Sequence, residues 1–389
     1  MEKHAFQRMI HTKEEQYNPF HWYKNMRENM PVYFDHQKGI WNVFSYEDVN
    51  KVLSDKDVFS SDRVGVLPFP NILNMDTPNH TRLRSLVNHA FTPKMVDDWG
   101  PRIQAITMEL LDQVSGQTTF DLVEDFSYPL PMMIIAELLG VPISDRKQFK
   151  EWSDTLVVNP SSEADVQEVK SRKSKAISEL MEYFNHIIQE KRVHLQDDII
   201  SVLIAAVENE GKLSKEELLG FCIILLIAGN ETTTNLISNA VYCFLENPTI
   251  WDTLKQDPSL VPGSVEETLR YRSPVQVLSR TVKTDTELGG HQLKAGQPVL
   301  AWIGSANRDE TKFSHPDQFD LTRQANPHLA FGKGIHFCLG APLARLEAKL
   351  ALTELLKRYS TISIKEGYSL DPIDSLYLSG LNSLPIEVK

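Results

Sequence analysis

Cysteine is scarce in this chain, and no two cysteines lie close together in the sequence. The 389 residues contain three cysteines, Cys222, Cys243 and Cys338, which lack the close spacing of a zinc site or of a secreted disulfide framework. We therefore expect thiols that act singly. Cys222 and Cys243 lie in apolar stretches and are predicted to be core residues.

Signals for export, membrane insertion and nucleic-acid binding are also missing. The first eight residues are largely polar, and no run reaches the roughly 18 apolar residues of a membrane span. The formal net charge is −12, whereas phosphate binding relies on clustered lysine and arginine. These absences predict a cytoplasmic protein with no membrane span and no nucleic-acid partner.

No Gly/Ser-rich linker, low-complexity segment or internal repeat divides the sequence. Two domains would be the default for this length, but without a linker we predict one domain over residues 1–389. The hydrophobic fraction of 41% and the mean hydropathy of −0.28 are typical of a soluble globular protein that can bury a large bound group.

One stretch places a cysteine among glycines directly before a predicted helix. Residues 331–340 read FGKGIHFCLG. The partial positive charge and free N–H groups of a helix N-terminus stabilise a thiolate, which makes Cys338 a candidate metal ligand. Gly332, Gly334 and Gly340 permit conformations and close approaches that a Cβ would block, as a loop against a flat ligand needs. The alternative is that Cys338 is a small buried hydrophobe, as lone cysteines usually are.

A second stretch puts polar residues in the middle of a buried helix. Ser214 and Glu217 form a capping box that starts a helix running to Asn247. Residues 221–229 are apolar all round, and residues 230–235 are all polar. Such a conflict between sequence and burial is typical of a functional site. A polar patch satisfied within the core is the alternative.

Two pairs of ionisable residues have helical spacing. His80 and Arg84 lie i,i+4 on one predicted helix, and Glu267 and Arg270 lie i,i+3 on another. Taken alone, each pair is typical of a solvated surface. The irregular, apolar stretch 60–74 either packs as core or covers a pocket.

The remaining sequence predicts helices with small β regions. The predicted elements are a hairpin over 31–44, a run of helices from 99 to about 204, strands at 275–280 and 298–300, and a final helix over 339–359.

Residues 331–340 match, position for position, the haem-binding signature F-G-x-G-x-H-x-C-x-G, so the chain resembles the cytochrome P-450 family of haem-thiolate monooxygenases. Residues 228–233, AGNETT, match the family's oxygen-activation motif, and residues 267–270 match its E-x-x-R motif. The motifs occur in the family's order, and they look most like those of soluble bacterial members. The resemblance implies a mainly α fold with smaller β-sheets (α+β), with haem b between the long central helix and the cysteine segment.

The resemblance also implies roles for single residues around the haem. Cys338 is then the iron ligand, whose thiolate favours O–O cleavage, in a segment with Phe331, Gly332 and Gly340. The expected contacts of the haem propionates are His80, Arg84, Arg280 and His336.

In the family's central helix, the residues that match Gly229 and Thr232 open the groove for dioxygen, and Ala228 is expected to contact the haem. Thr232 is expected to hydrogen-bond the oxygen, and Glu231 to relay protons from solvent. Glu267 and Arg270 are expected to pin the segment that bears the cysteine, with either Arg323 or His328 as a third member.

The substrate pocket is expected to be mostly aliphatic. The candidates are Val66, Leu67, Phe69, Ile72, Leu226, Val275, Val277, Leu278 and Leu381. Such a pocket suits a steroid, a terpenoid or a fatty acid, and Arg63 is a candidate anchor for a carboxylate.

The implied reaction inserts one atom of dioxygen into a C–H bond of an apolar small molecule. Since the chain has no flavin or iron–sulfur domain, electrons are expected from NAD(P)H through a ferredoxin or flavodoxin and its reductase. The expected docking patch is basic and consists of Arg82, Lys94, Lys333, Arg345 and Lys349. Two rivals, a peroxide-driven hydroxylase and a haem sensor or carrier, have no need of the Glu231–Thr232 pair.

Overall fold

The computed structural model describes residues 12–62, 69–88, 91–157, 166–210 and 213–389. Over these residues helices predominate, and small sheets lie beside them. This confirms the predicted fold class, mainly α with smaller β-sheets.

The helices vary from one turn to nine turns in length. In chain order they are α1 (Lys13–Tyr17), α2 (Phe20–Asn29), α3 (Tyr46–Ser54), α4 (Asn79–Asn88), α5 (Pro93–Gln113), α6 (Pro129–Leu139), α7 (Arg146–Val157), α8 (Val166–Val193), α9 (Ile199–Glu210), α10 (Lys215–Glu246), α11 (Pro248–Gln256), α12 (Val261–Tyr271), α13 (Ile303–Ala306) and α14 (Ala341–Arg358).

The strands are short. They are β1 (Val32–Asp35), β2 (Ile40–Val43), β3 (Phe59–Ser60), β4 (Thr119–Asp121), β5 (Val277–Val282), β6 (Thr286–Leu288), β7 (His291–Leu293), β8 (Pro298–Trp302), β9 (Ile362–Ile364) and β10 (Pro385–Val388). The largest sheet has the order β1-β2-β8-β5-β3, and only its β2–β8 pair is parallel. A second sheet has the order β4-β10-β9, and β6 pairs with β7.

Helix α10 is the centre of the main hydrophobic core. It begins at the predicted capping box, in which the Ser214 hydroxyl accepts from the Glu217 N–H at 3.1 Å and the Ser214 N–H donates to the Glu217 carboxylate at 2.9 Å. It ends where Pro248, which cannot continue the helix, opens α11. Helices α6, α8, α12 and α14 pack around it, so residues on α10 reach the middle of the fold.

Among the described residues, α10 is also the helix that is long and apolar enough to cross a membrane, by length and composition alone. However, 67% of its most apolar window is buried inside the protein. The core helix of a soluble protein passes the same test, so we treat α10 as a core helix.

The β regions differ from the prediction in two places. Residues 99–204 are not helical throughout, because β4 pairs with β10 near the C-terminus, a contact that local periodicity cannot reveal. Between β5 and β8, the short strands β6 and β7 form a further hairpin that the prediction lacks, with Leu288 opposite His291. The hairpin of β1 and β2 is confirmed, with Val32 opposite Val43.

Candidate active site

The cysteine segment folds into a tight loop that ends at a helix N-terminus. The N–H of Cys338 donates to the Phe331 carbonyl at 2.9 Å and closes the loop. Gly332 and Gly334 have φ of +71° and +69°, a left-handed conformation that favours glycine. Gly340 then caps α14. Burial raises the pKa of the Cys338 thiol, while the N–H groups of Gly340 and Ala341 and the charge of Arg84 act to lower it.

The prediction that a Cβ would be blocked at Gly340 is wrong. Its φ is −81°, and a Cβ would meet no atom of the described chain within 4 Å. Neither conformation nor a protein contact therefore requires glycine at this position.

One face of α10 is open near the middle of the helix, although most of the helix is buried. Ala228 is exposed, and Leu225, Gly229 and Thr232 are half-buried. Their spacing of i, i+3, i+4 and i+7 places them on one stripe of the helix. A Cβ on Gly229 would make only ordinary contacts with Ile135. The described protein atoms therefore leave room along this face for a bound group.

Basic side chains gather close to the cysteine loop. His80 on α4 is 2% exposed, and its ring centroid lies 4.2 Å from that of His336. Among the described residues, neither nitrogen of His80 nor Nε2 of His336 has a hydrogen-bond partner. Arg280 is buried, and its Nη1 donates to the Ser279 carbonyl at 2.9 Å.

The electrostatics of this cluster favour a negative ligand. Burial, together with the nearby His80 and Arg280, lowers the pKa of His336 to about 3. Burial and Arg84 lower the pKa of His80. Because the group supplies several donors and few acceptors, it suits the carboxylates of a bound molecule.

Glu231 faces away from the open stripe. Its carboxylate is 8% exposed and accepts from the Ser153 hydroxyl of α7 at 2.9 Å. It lines a cavity of about 190 Å³ with Lys150, Asp154 and Asn382. Burial raises the pKa of Glu231 to about 7, although the Ser153 hydrogen bond opposes the shift.

Thr232 lies on the open stripe, and its hydroxyl donates to the Ala228 carbonyl at 2.8 Å. With the proton committed to the backbone, the lone pairs of the oxygen face the stripe. Thr232 is thus an acceptor towards any group bound there, and Glu231, one residue earlier, faces the cavity beside α7.

A protein-family model described as Cytochrome P-450 matches residues 4–389. The chain belongs to the cytochrome P-450 family. Members of this family are haem-containing monooxygenases, so the protein is an oxidoreductase of that class.

Bacterial cytochromes P-450 are similar over almost the whole chain. The putative cytochrome P-450 YjiB of Bacillus subtilis (strain 168) is 50% identical over 385 residues, covering 97% of this chain and 96% of the relative. The structure of CYP109E1 from Bacillus megaterium in complex with testosterone has a TM-score of 0.95 at 49% identity, covering 97% of this chain and 99% of that one. The structure of CYP109B1 from Bacillus subtilis has a TM-score of 0.87 at 50% identity, covering 95% and 99%.

The E-x-x-R pair of this cytochrome P-450 is fully buried. Arg270 donates to Glu267 through Nε at 2.9 Å and Nη2 at 2.7 Å, and Arg323 donates to the same carboxylate at 3.0 and 3.1 Å. Arg270 also donates to carbonyls of the segment that leads to the cysteine, including that of Asn307 at 3.1 Å. Arg323 is therefore the third member that the sequence left open, whereas His328 lies against Glu266 at 3.0 Å.

The predicted pocket residues fall into different environments. Val66 and Leu67, like Arg63, lie outside the described residues. Phe69 and Ile72 are buried in the main core, and a Cβ on Gly220 would lie 2.1 Å from the Pro70 carbonyl oxygen. The described part of this apolar stretch therefore packs directly on α10.

Two pocket predictions point in the wrong direction. Leu226 is 1% exposed, because the open stripe passes through Leu225 instead. Val277 packs in a buried cluster with Trp22 and Trp302. Side chains alternate along a strand, so it faces away from Leu278 and Arg280.

Of the other candidates, Leu278 lies near the cysteine loop and Leu381 lies at the cavity. Leu278 lies 3.8 Å from the position of a Cβ on Gly332. Val275 is half-buried and forms an isolated bridge with Leu378. Leu381 lines the cavity beside Glu231.

Three residues escaped the sequence analysis. Leu225 was available from the sequence, because counting back seven positions from Thr232 gives the same face. Ser153 carried no signal, since serine is common on helices and its partner is 78 positions away. Glu266 was not singled out, because only its neighbour Glu267 belongs to the E-x-x-R motif.

The raised pKa of Glu231 predicts a pH-dependent term in stability. The folded protein holds this proton up to about pH 7, whereas the unfolded chain releases it near pH 4.3. The stabilisation is therefore fully present below about pH 4.3 and is lost as the pH rises through about 7. Glu231→Gln should remove this loss, which is on the order of 3 kcal/mol.

Urea unfolding of the parent and of Glu231→Gln at several pH values measures the difference. Glu347, whose pKa burial raises to about 8, provides a matched control because Glu347→Gln should remove a loss that extends to higher pH. Parallel stability curves for the parent and Glu231→Gln between pH 4.5 and 7 would contradict the assignment.

Proposed function

We propose that this cytochrome P-450 inserts one oxygen atom from dioxygen into a C–H bond of an apolar small molecule, and that a steroid is the substrate class. The observation that carries the proposal is the convergence of three features. These are the Cys338 thiol at a helix N-terminus, the open stripe of α10, and the basic cluster of His80, Arg84, Arg280 and His336. Within the described part of the chain, three histidine nitrogens of this cluster have no hydrogen-bond partner.

The residues fit a haem b. Cys338 would bind the iron, because the N–H groups of Gly340 and Ala341 and the charge of Arg84 favour its thiolate. The two propionates would be held by the donors of the basic cluster, which are His80, Arg84, Arg280 and His336. The bound haem would supply the iron at which dioxygen is activated for insertion into the C–H bond.

Thr232 and Glu231 would divide the handling of protons. Thr232 accepts a hydrogen bond on the open stripe, since its own proton is held by Ala228. Glu231 has a pKa of about 7, so it gains and loses a proton easily near neutral pH, as a general acid–base group must. Ser153 holds its carboxylate towards the cavity, where Lys150 and Asp154 are also found.

Electrons would come from NAD(P)H through a separate ferredoxin or flavodoxin with its reductase. The structure alters the expected docking patch, because Arg345 pairs with Glu266 and Arg82 pairs with Glu217. Lys94, Lys333 and Lys349 are exposed. We therefore assign the attraction of an acidic partner to the lysines, in a protein that we place in the cytoplasm.

The substrate class rests on two solved complexes of one relative and on the aliphatic residues of the site. CYP109E1 from Bacillus megaterium, 49% identical to this chain, was solved in complex with testosterone and in complex with corticosterone. A fatty acid is the second candidate, because the myxobacterial CYP267B1, 34% identical, was solved in complex with myristic acid.

The first prediction of this proposal concerns the iron ligand. Reduced protein with carbon monoxide should show the red-shifted Soret band of thiolate ligation, and Cys338→Ser should lose it because a hydroxyl is not an anionic sulfur donor. Difference spectra measure the band. Cys222→Ser is the matched control, since Cys222 is buried in α10 and its replacement should keep the band. A Cys338→Ser protein with the parent's band would exclude Cys338 as the ligand.

Replacement of Thr232 separates a monooxygenase from its rivals. Thr232→Ala should keep haem and substrate binding but lower the product formed per NAD(P)H several-fold, with the electrons recovered as hydrogen peroxide. Thr233→Ala is the matched control, because Thr233 is buried beside the stripe. This variant should form as much product per NAD(P)H as the parent. If Thr232→Ala forms as much product per NAD(P)H as the parent, Thr232 has no role in proton delivery. If the parent forms no product with any redox partner, the haem carrier becomes the better interpretation.

Ligand titrations test the substrate class. Testosterone and corticosterone should shift the Soret band of the ferric protein towards the high-spin form at lower concentration than myristic acid does. Ala228→Leu narrows the open stripe and should weaken the steroid response at least several-fold while the carbon monoxide band remains. If myristic acid saturates the shift at a lower concentration than either steroid, the fatty-acid class replaces the steroid class.

A further inference from the structure

Two adjacent glutamates on α12 bind different parts of the chain. Glu267 binds Arg270 and Arg323, as described above. Glu266 accepts from Arg345 at 2.6 Å through Nε and at 2.9 Å through Nη2. It also lies 3.0 Å from His328 Nε2. No part of the proposed reaction uses Glu266.

The hydrogen bonds of His328 define its tautomer. Its Nδ1 accepts from the Ala330 N–H at 3.3 Å, so Nε2 carries the proton and donates to Glu266. Burial alone would raise the pKa of Glu266, but the hydrogen bonds from Arg345 and His328 lower it to about 2. Glu266 is therefore a permanent anion with two charge-assisted partners.

Both partners lie at the ends of the cysteine segment. His328 precedes Phe331 by three residues, and Arg345 follows Cys338 by seven. The guanidinium of Arg345 also stacks over the Phe331 ring at 4.5 Å, and the Phe331 carbonyl accepts from the Cys338 N–H at 2.9 Å. One carboxylate is thus connected to the cysteine from both directions along the chain.

We propose that Glu266 is a positioning residue for Cys338, which it holds by fixing His328 before the cysteine loop and Arg345 after it. The proposal rests on the assignment of Cys338 as the iron ligand under the proposed function. Glu266 does not touch the reacting atoms. It acts through the geometry of the loop, so its loss lowers the fraction of protein in which the Cys338 thiolate binds the iron.

The experiment measures the fraction of thiolate-ligated protein in haem-loaded variants. In the reduced carbon monoxide complex, Glu266→Ala should at least halve the share of the red-shifted Soret band. Glu266→Gln should have a smaller effect, because the amide keeps the shape and one acceptor. His328→Gln and Arg345→Lys each weaken one side, so they remain informative even where Glu266→Ala fails to fold.

The matched control is Glu310→Gln. Glu310 also accepts from one arginine, Arg27, at 2.9 and 3.2 Å, and its side chain is 41% exposed against 34% for Glu266. It lies outside the cysteine loop. Loss of this pair should lower the thermal midpoint slightly and leave the share of the red-shifted band unchanged.

The reduction potential separates positioning from a simple effect of charge. If Glu266 acted only by its charge, Glu266→Gln and Arg345→Gln would shift the potential in opposite directions, with full thiolate ligation in both. That result would overturn the proposal, as would a Glu266→Ala protein with the parent's band. A parent without the red-shifted band would instead refute the assignment of Cys338 itself.

Discussion

The buried carboxylate of Glu267 makes the contacts that connect the middle of the fold to the chain leading to Cys338. It binds two arginines and the Asp320 N–H at 2.9 Å, and so joins α12 to the irregular chain that precedes Cys338. A buried ion pair is weak evidence for stability in itself, but removal of one partner leaves an uncompensated charge and typically costs about 3–5 kcal/mol. The irregular segment has few backbone hydrogen bonds of its own, so this network takes the place of secondary structure.

Helix α10 combines burial with a polar stretch because its polar residues face different neighbours. Asn239, four residues after the stretch, shows how a buried polar side chain of this helix is satisfied, since it accepts from the Tyr17 hydroxyl at 2.8 Å and donates to the Arg272 and Ser379 carbonyls. Asn235 packs so closely against Gly380 that a Cβ there would lie 1.9 Å from its side-chain oxygen. The alternative of a polar patch packed within the core therefore holds for Asn235, and the functional roles of Glu231 and Thr232 stay predictions.

Sequence predicted well those features that local chemistry decides. The Ser214–Glu217 box, the positive φ of Gly332 and the place of Cys338 before a helix all follow from near neighbours in the chain. The features that were not predicted from the sequence depend on partners far along the chain. The strand β4 exists because β10 pairs with it, and the choice between Arg323 and His328 was decided by Glu266, which occupies the histidine.

The separation of Glu231 from Thr232 follows from helix geometry. Successive residues are about 100° apart on an α-helix, so one side chain reaches the open stripe while its neighbour reaches the cavity beside α7. Since Ser153 lies on α7, the orientation of the Glu231 carboxylate depends on where that helix sits. Any movement of α7 would therefore change the orientation of the Glu231 carboxylate without moving α10 itself.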